Sequence, residues 1–361
     1  MNQAASLKKT DPIPQVEPPV VRPLAIIGTG NVGGALLARL RRTLPPGLAL
    51  HALANSRRMR LSTAPLPPDP AILESPDSEA TQLDRLTAHL RQLGPGAAIL
   101  DLTASETVAA RHADWLAAGL SVVTANKWAA AGSPANYQRL VEAGRDSGTI
   151  YGDATTVGAG LPVLESLRRL VAAGDRIHAV SGLFSGTLTS VMHGLGDGHK
   201  LSDCVRRAHA QGLTEPDPRL DLSGIDVARK LVITARAAGH QPDPAHINIE
   251  NLVPPELSDL SLEHFFDRLD ELDSHWQTLS HNAPAGHVPR YVGEFDRHGE
   301  IRVGLQWLKP DHPLVNVGET DNIFHIRSDC YDDTPLIIRG PGAGADVTAL
   351  QVLVDLLKGN T

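Results

Sequence analysis

From residue 22 the chain alternates short apolar runs with helix-length segments. "PLAIIG" (23–28) reads as a strand, and "VGGALLARLRRTL" (32–44) as a helix with Leu36, Leu37, Leu40 and Leu44 on one face. Apolar residues that return every three or four positions mark a helix buried along one stripe. "LALHALA" (48–54), "AAILDLT" (97–103) and "LSVVTA" (120–125) are further strands, and "TVAARHADWLAAG" (107–119) has helical spacing. Strands alternating with helices predict a parallel sheet covered on both faces. The Pro-rich, acidic stretch "STAPLPPDPAILESPDSEATQ" (62–82) reads as a loop ahead of a short helix.

After residue 150 the rhythm changes. "TIYGDATTVGAGLP" (149–162) runs from a strand through a Gly-rich turn into the helix "VLESLRRLVAAG" (163–174). The strand "IHAVSGLF" (177–184) and a small-residue turn, "SGTLTS" (185–190), come next, then a helical section around Cys204. "PRYVGEF" (289–295), "EIRVGLQW" (300–307) and "TPLIIRG" (334–340) are expected strands of a second, mixed sheet. "GPGAGADVTALQVLVDLLKG" (340–359) predicts a Gly-rich loop and a helix with Leu350, Leu353, Val354 and Leu357 on one side.

Length and composition narrow the class. A chain of 361 residues exceeds what one core usually serves, so two domains are expected. A net charge of −8 argues against a nucleic-acid partner, whose phosphates want a basic surface. The two cysteines, Cys204 and Cys330, are too few and too far apart for a disulfide framework or a thiolate metal site. The 16 histidines show no close paired spacing of the kind that holds zinc. No apolar run approaches the roughly 18–20 residues of a membrane span, and the Pro-rich N-terminus has no apolar core of a signal peptide. Residues 1–21 are expected to be a disordered lead-in, and the compartment the cytoplasm.

The candidate chemistry begins at "IIGTGNVGGAL". Gly28, Gly30 and Gly33 stand in G-x-G-x-x-G spacing after a strand and at the start of a helix, with Thr29, Asn31 and Val32 between them. Such a turn lets the backbone approach a pyrophosphate at the helix N-terminus; without a ligand it is only a Gly-rich turn. The second strand ends "ALANSRRM", with no acid for ribose hydroxyls but with Arg57 and Arg58, which fit a 2′-phosphate or are simply solvated. That favours NADP and leaves NAD open. Lys127, in "SVVTANKWA", falls just beyond the carboxyl end of a parallel strand, where open α/β sheets bind ligands. In "GLTEPDPRLDLSGIDVARKL" (212–231), Ser223 is a candidate N-cap, and Ile225, Ala228, Val232 and Ala235 a buried stripe. Asp226 and Lys230 then form an i,i+4 pair, either an ordinary surface salt bridge or a carboxylate that orients a proton-donating lysine. Spacing leaves both open.

Taken together, "VVTANK", "TVGAGLPVLESLRRLVAAGD", "SGTLTS", "TEPDPRLDLSGIDVARKLVI" and "GPGAGADVTA", behind the fingerprint at Gly28, resemble homoserine dehydrogenase from about residue 22 onward. The likeness is to the dehydrogenase half of the fused aspartate kinase–homoserine dehydrogenases. It implies an α/β fold: a Rossmann-type dinucleotide-binding domain over 22–152, completed by 340–361, and an α+β mixed-sheet substrate and dimerisation domain over 153–339. It implies reversible NAD(P)H reduction of L-aspartate 4-semialdehyde to L-homoserine by a homodimer. By the resemblance Lys230 is the proton donor, with Asp226 beside it and Lys127 between nicotinamide and substrate. Glu215 and Asp221 hold the substrate's polar end. Thr103, Ala104 and Gly344 contact the cofactor.

Three departures stand out. Leu213 replaces the family's usual tyrosine before T-E-P-D-P. The acidic ligand of the family's monovalent cation (Na+, for example) falls on Ala154, with Asp153 one place earlier, leaving the carbonyls of Val157, Ala159 and Leu161 to bind it. The third is the expected absence of a C-terminal regulatory domain, and with it of threonine feedback. Two rival readings stay open: a dehydrogenase of another small oxo or hydroxy acid, and a nucleotide-binding homologue without catalysis.

Overall fold

The computed structural model describes residues 21–358. The lead-in expected over 1–21 lies, Val21 apart, outside them. Seven strands form the first sheet: β1 (Arg22–Ile27), β2 (Leu48–Ala54), β3 (Arg58–Leu61), β4 (Glu79–Ala80), β5 (Ala98–Asp101), β6 (Ser121–Thr124) and β7 (Tyr151–Gly152), in the order β4-β3-β2-β1-β5-β6-β7. The run from β2 through β7 is parallel, while β3 and β4 fold back antiparallel. The chain moves from β1 outward to β2 and later re-enters on the other side of β1 as β5. At that switch the connections leave in opposite directions, so a crevice opens beyond the carboxyl ends of β1 and β5.

Alternation along β1 serves two cores. Leu24 and Ile26 face Leu36, Leu37 and Leu40 of the helix Asn31–Arg42, together with Ala349, Val352, Leu353 and Leu356 of the helix Ala345–Leu357. Ala25 and Ile27 face Leu86, Leu90, Trp115 and Leu116. The last helix of the chain therefore completes the first layer. Its buried face differs from the expected one, since Leu350 and Val354 are exposed and Leu357 only partly covered. Leu44 is exposed as well, because the helix stops at Arg42 and Thr43 is already extended. The segment 107–119 is two short helices, Glu106–Ala109 and His112–Ala117, rather than one.

The second sheet contains β8 (Ile177–Leu183), β9 (Asn248–Ile249), β10 (Val288–Phe295), β11 (Ile301–Leu308), β12 (Asp321–Ser328) and β13 (Leu336–Pro341), ordered β13-β12-β8-β10-β11-β9. It is antiparallel except where β11 meets β9, and so mixed as expected. Helices Val163–Ala172, Gly186–Gly196 and Ile225–Ala237 cover one face over a core that includes Val180, Leu231, Phe295 and Phe324, and the helix Leu201–Ala210 packs on Gly186–Gly196. Strand β12, an inner strand, was not singled out in the sequence, because "DNIFHIRS" mixes polar and apolar residues. "SGTLTS" is no turn but the first part of a helix: Ser185 is its N-cap, accepting from Leu188 N–H, and Thr189 Oγ1 returns to the Ser185 carbonyl at 2.8 Å.

Candidate active site

The nucleotide edge follows from glycine geometry. Gly28 has φ +104°, and a Cβ there would lie 2.7 Å from the Leu102 carbonyl oxygen. A Cβ on Gly33 would lie 2.0 Å from the Gly28 carbonyl oxygen, whereas Gly30 has nothing within 4 Å. The first and third glycines are thus demanded by the protein itself, and the second leaves open space of the kind a ligand fills. Helix Asn31–Arg42 starts at Gly30 with no side-chain cap and no acid in its first turn, so its first N–H groups are left for an anion. Replacing Gly33 by alanine is expected to abolish tight dinucleotide binding and lower the melting temperature, since the obstacle is backbone and cannot swing aside. Fluorescence titration and a thermal melt measure this; unchanged affinity would reject it.

Two arginines follow β2, and they are not equivalent. Arg58 Nη2 is tied to the Ser75 and Ser78 carbonyls at 3.0 and 3.1 Å. Arg57 is exposed, and no hydrogen bond or ion pair from a described residue engages its guanidinium. Asn55 Oδ1 holds the turn by accepting both their N–H groups at 2.8 Å.

Beneath the crevice lies a buried polar cluster. Asp101 ends β5 at 0% exposure. Its Oδ1 accepts from Thr103 N–H and Thr103 Oγ1 at 2.9 and 2.7 Å, and its Oδ2 from Asn126 Nδ2 at 3.0 Å, with His112 Nε2 at 2.9 Å. Asn126 also donates to the Ser105 carbonyl and accepts from Trp128 N–H, so one amide braces the turns that carry Thr103, Ala104 and Lys127.

The second sheet's helix Ile225–Ala237 supplies the other wall. Asp226 Oδ2 lies 2.7 Å from Lys230 Nζ and Asp226 Oδ1 3.3 Å from Lys127 Nζ, so one carboxylate joins the two parts of the molecule. Lys230 Nζ donates to the Phe184 carbonyl at 2.8 Å. Burial disfavours the charged form of Asp226, but the Lys230 and Lys127 ammoniums outweigh it and hold the carboxyl well below its ordinary range. Asp226 lies deep in the molecule, yet 44% of its side chain opens to the cleft, against 13% for Lys230. The same helix grips the segment after Lys127: the Arg229 guanidinium stacks 3.9 Å over Trp128, and the Arg236 guanidinium donates to the Ala130 and Gly132 carbonyls at 2.6 and 2.7 Å.

The acids ahead of that helix divide by role. Asp221 Oδ2 accepts from Glu215 N–H at 2.8 Å. Burial pushes the Asp221 carboxyl up, as do the charges of Glu215 and Asp226, against the pull of Glu215 N–H and the Thr187 hydroxyl. Glu215, Asp221 and Asp226 therefore share one electrostatic neighbourhood, while Asp217 is committed elsewhere, paired with Arg219 at 2.7 Å. Ser223 is not the N-cap; that place is taken by Gly224 at φ +71°, where a Cβ would strike the Tyr291 hydroxyl. Ile225 is 45% exposed rather than buried, because it lines a cavity of about 490 Å³ on the neighbouring face of the helix. That cavity, walled also by Trp128, Arg229 and Ile247, is lined by none of Lys127, Asp226 and Lys230.

The chain is similar to known proteins over most of its length. The family model "homoserine dehydrogenase, NAD binding domain" matches residues 28–152, and the "homoserine dehydrogenase" model matches residues 162–357. The chain belongs to the homoserine dehydrogenase family. It is 38% identical to a homoserine dehydrogenase of Emericella nidulans over 93% of this chain and 97% of that one. To bifunctional aspartokinase/homoserine dehydrogenase 2 of Escherichia coli it is 39% identical over 92% of its own length, but it spans only 42% of that protein. A crystal structure of a protein of unknown function from Candida auris superposes with a TM-score of 0.85 at 32% identity, covering 94% of this chain and 98% of the other.

At the expected cation position the neighbouring carboxylate is already taken. Asp153 is 2% exposed and both its oxygens are held by Arg168, at 2.6 and 2.8 Å. The Leu161 carbonyl accepts from Val163 N–H at 2.8 Å, and Ala159 sits at φ +53°. With alanine at position 154 and Asp153 held by Arg168, neither position offers a free carboxylate to a cation, and no step is assigned to one. Gly344, at φ +137°, starts the last helix. The residues missed in the sequence are Asp101, Asn126, Thr187 and the Phe184 carbonyl. Asp101 carried a signal, a charge ending an apolar run, and Asn126 stood beside Lys127; a main-chain carbonyl leaves none.

Proposed function

We propose that this family member is an NAD(P)-dependent homoserine dehydrogenase, reversibly reducing L-aspartate 4-semialdehyde to L-homoserine in threonine and methionine biosynthesis. The observation that carries the reading is the Lys127–Asp226–Lys230 bridge between the nucleotide edge and the second sheet's helix. When bound, the nicotinamide supplies the hydride. Lys230 donates a proton from Nζ to the aldehyde oxygen as alkoxide charge builds there, and its ammonium stabilises that charge beforehand. Asp226 fixes both ammoniums, and Lys127 adds positive charge from the nucleotide side. Glu215 and Asp221 offer carboxylates to the substrate ammonium. Gly28, Thr29, Gly30, Asn31, Val32 and Gly33 cradle the pyrophosphate, and Thr103, Ala104, Lys127 and Gly344 flank the remainder of the cofactor. The test is oxidation of L-homoserine by the purified protein with NADP and with NAD; no turnover with either would reject the reading.

NADP is the preferred cofactor in this reading, because the Arg57 guanidinium is charged, exposed and has no partner among the described residues. Arg57→Ala is expected to raise KM for NADP about tenfold or more while leaving that for NAD nearly unchanged. Equal effects on the two would assign Arg57 to the surface.

The active form is proposed to be a cytoplasmic homodimer. Ile337, His325, Ser181, Glu294 and Arg302 lie side by side across five strands of the second sheet, on the face opposite the helices, and none is buried. A second copy would cover this row; sedimentation equilibrium at the monomer mass would reject it. Among the described residues, no helix is long and apolar enough to cross a membrane.

A further inference from the structure

One buried polar atom without a partner among the described residues lies next to the acceptor of Lys230. It is Oδ1 of Asn322, a residue of β12 with 1% exposure. Asn322 Nδ2 donates to the Phe184 carbonyl at 3.3 Å, the same carbonyl that accepts from Lys230 Nζ at 2.8 Å. On its other side is the Gly-rich loop after β13: Asn322 pairs with Gly340 in the ladder, and a Cβ on Gly342 would fall 2.0 Å from Asn322 Cγ and 2.3 Å from its Oδ1. The carboxamide is thus wedged between the anchor of the lysine and the loop that leads to Gly344. Turning it over would set Oδ1 against the Phe184 oxygen, two acceptors face to face, so Nδ2 stays where it is and Oδ1 is the orphan. A buried carbonyl oxygen with no donor is costly enough that native sites almost always supply one.

We propose that Asn322 is a positioning and ligand-binding residue of this active site. Its Nδ2 fixes the Phe184 carbonyl that aims Lys230, and its Oδ1 accepts a hydrogen bond from an N–H donor of the bound ligands. The inference rests on the functional reading above, which supplies two such donors, the carboxamide of the nicotinamide and the ammonium of the amino-acid substrate. Gly342 is glycine because any side chain there would displace the amide.

The test compares Asn322→Ala with Gly342→Ala by steady-state kinetics and NADPH fluorescence titration, with thermal melts alongside. Gly342 needs no left-handed backbone, and the atoms that its Cβ would meet end a side chain, so the second variant keeps Asn322 but pushes its amide aside. Both variants are expected to lose about 10- to 100-fold in kcat through misplacement of Lys230. Weaker NADPH binding with an unchanged KM for homoserine assigns the Oδ1 donor to the cofactor, and the reverse pattern assigns it to the substrate. Variants that melt lower yet keep wild-type kcat, KM and NADPH affinity would overturn the proposal. A wild type that oxidised no homoserine would instead defeat the functional reading, and the titration would decide alone: unchanged NADPH affinity in both variants overturns the role of Asn322.

Discussion

Lys230→Met is expected to lower kcat for homoserine oxidation by about 10²- to 10⁴-fold, the usual contribution of a positioned acid–base group. Methionine keeps most of the length and the apolar body of the side chain, which is only 13% exposed, so the helix Ile225–Ala237 should stay packed. What disappears is the ammonium held between the Phe184 carbonyl and Asp226. Its strongest interaction, with the alkoxide, exists only as the reaction proceeds, so the loss belongs in kcat and KM should move by a few-fold at most. Steady-state kinetics of wild type and variant, with NADPH affinity as a control for folding, measure this. A variant keeping even a tenth of wild-type kcat would show that another group exchanges the proton with the substrate oxygen.

The first layer was legible because its physics is local. Strands such as "LALHALA", apolar but for His51, can sit only inside a covered parallel sheet, and the glycine spacing marks the turn beyond β1. Which glycine faced the ligand was not legible: that Gly33 meets the Gly28 carbonyl while Gly30 meets nothing emerges only from three dimensions. The second layer was harder to read. Strand β12 hides behind mixed polarity, because polar Asn322 and Ser328 are buried along with Phe324 and Ile326, while Ile323 is buried among the less covered Asp321, His325 and Arg327. In "SGTLTS", hydroxyls that look like turn formers satisfy the start of a buried helix instead. The pair Asp226 and Lys230 was visible as a spacing, and spacing alone described a surface salt bridge equally well. Only the arrival of Lys127 from 99 positions earlier in the chain, at 3.3 Å, distinguishes the two, and no local pattern encodes that contact. The two arginines after β2 likewise looked alike until the loop 75–78 claimed Arg58.

Asp226→Asn should cost nearly as much activity as loss of the lysine, about 10²-fold or more in kcat, for an electrostatic reason. Two ammoniums share this one carboxylate, at 2.7 and 3.3 Å. A neutral amide cannot offset their mutual repulsion, so Lys127 and Lys230 should move apart and the substrate should meet neither in place. The effect on stability is smaller and has a definite sign with pH. The carboxyl of Asp226 is held below its ordinary range, in spite of burial, by the two lysines. A group whose folded pKa is depressed contributes stability that is complete above its unfolded pKa, about 3.9 for aspartate, and is lost as pH falls from there through the folded value. The gap in melting temperature between wild type and Asp226→Asn should therefore stay constant from pH 8 to about pH 5 and close below about pH 4. The opening of the side chain to solvent keeps that gap modest, since water screens the pair. Thermal melts across this range, set beside kcat at neutral pH, check both parts. A gap that widened on acidification, or a variant with wild-type kcat, would mean that Asp226 is an ordinary surface carboxylate and that the bridge to Lys127 has no part in the reaction.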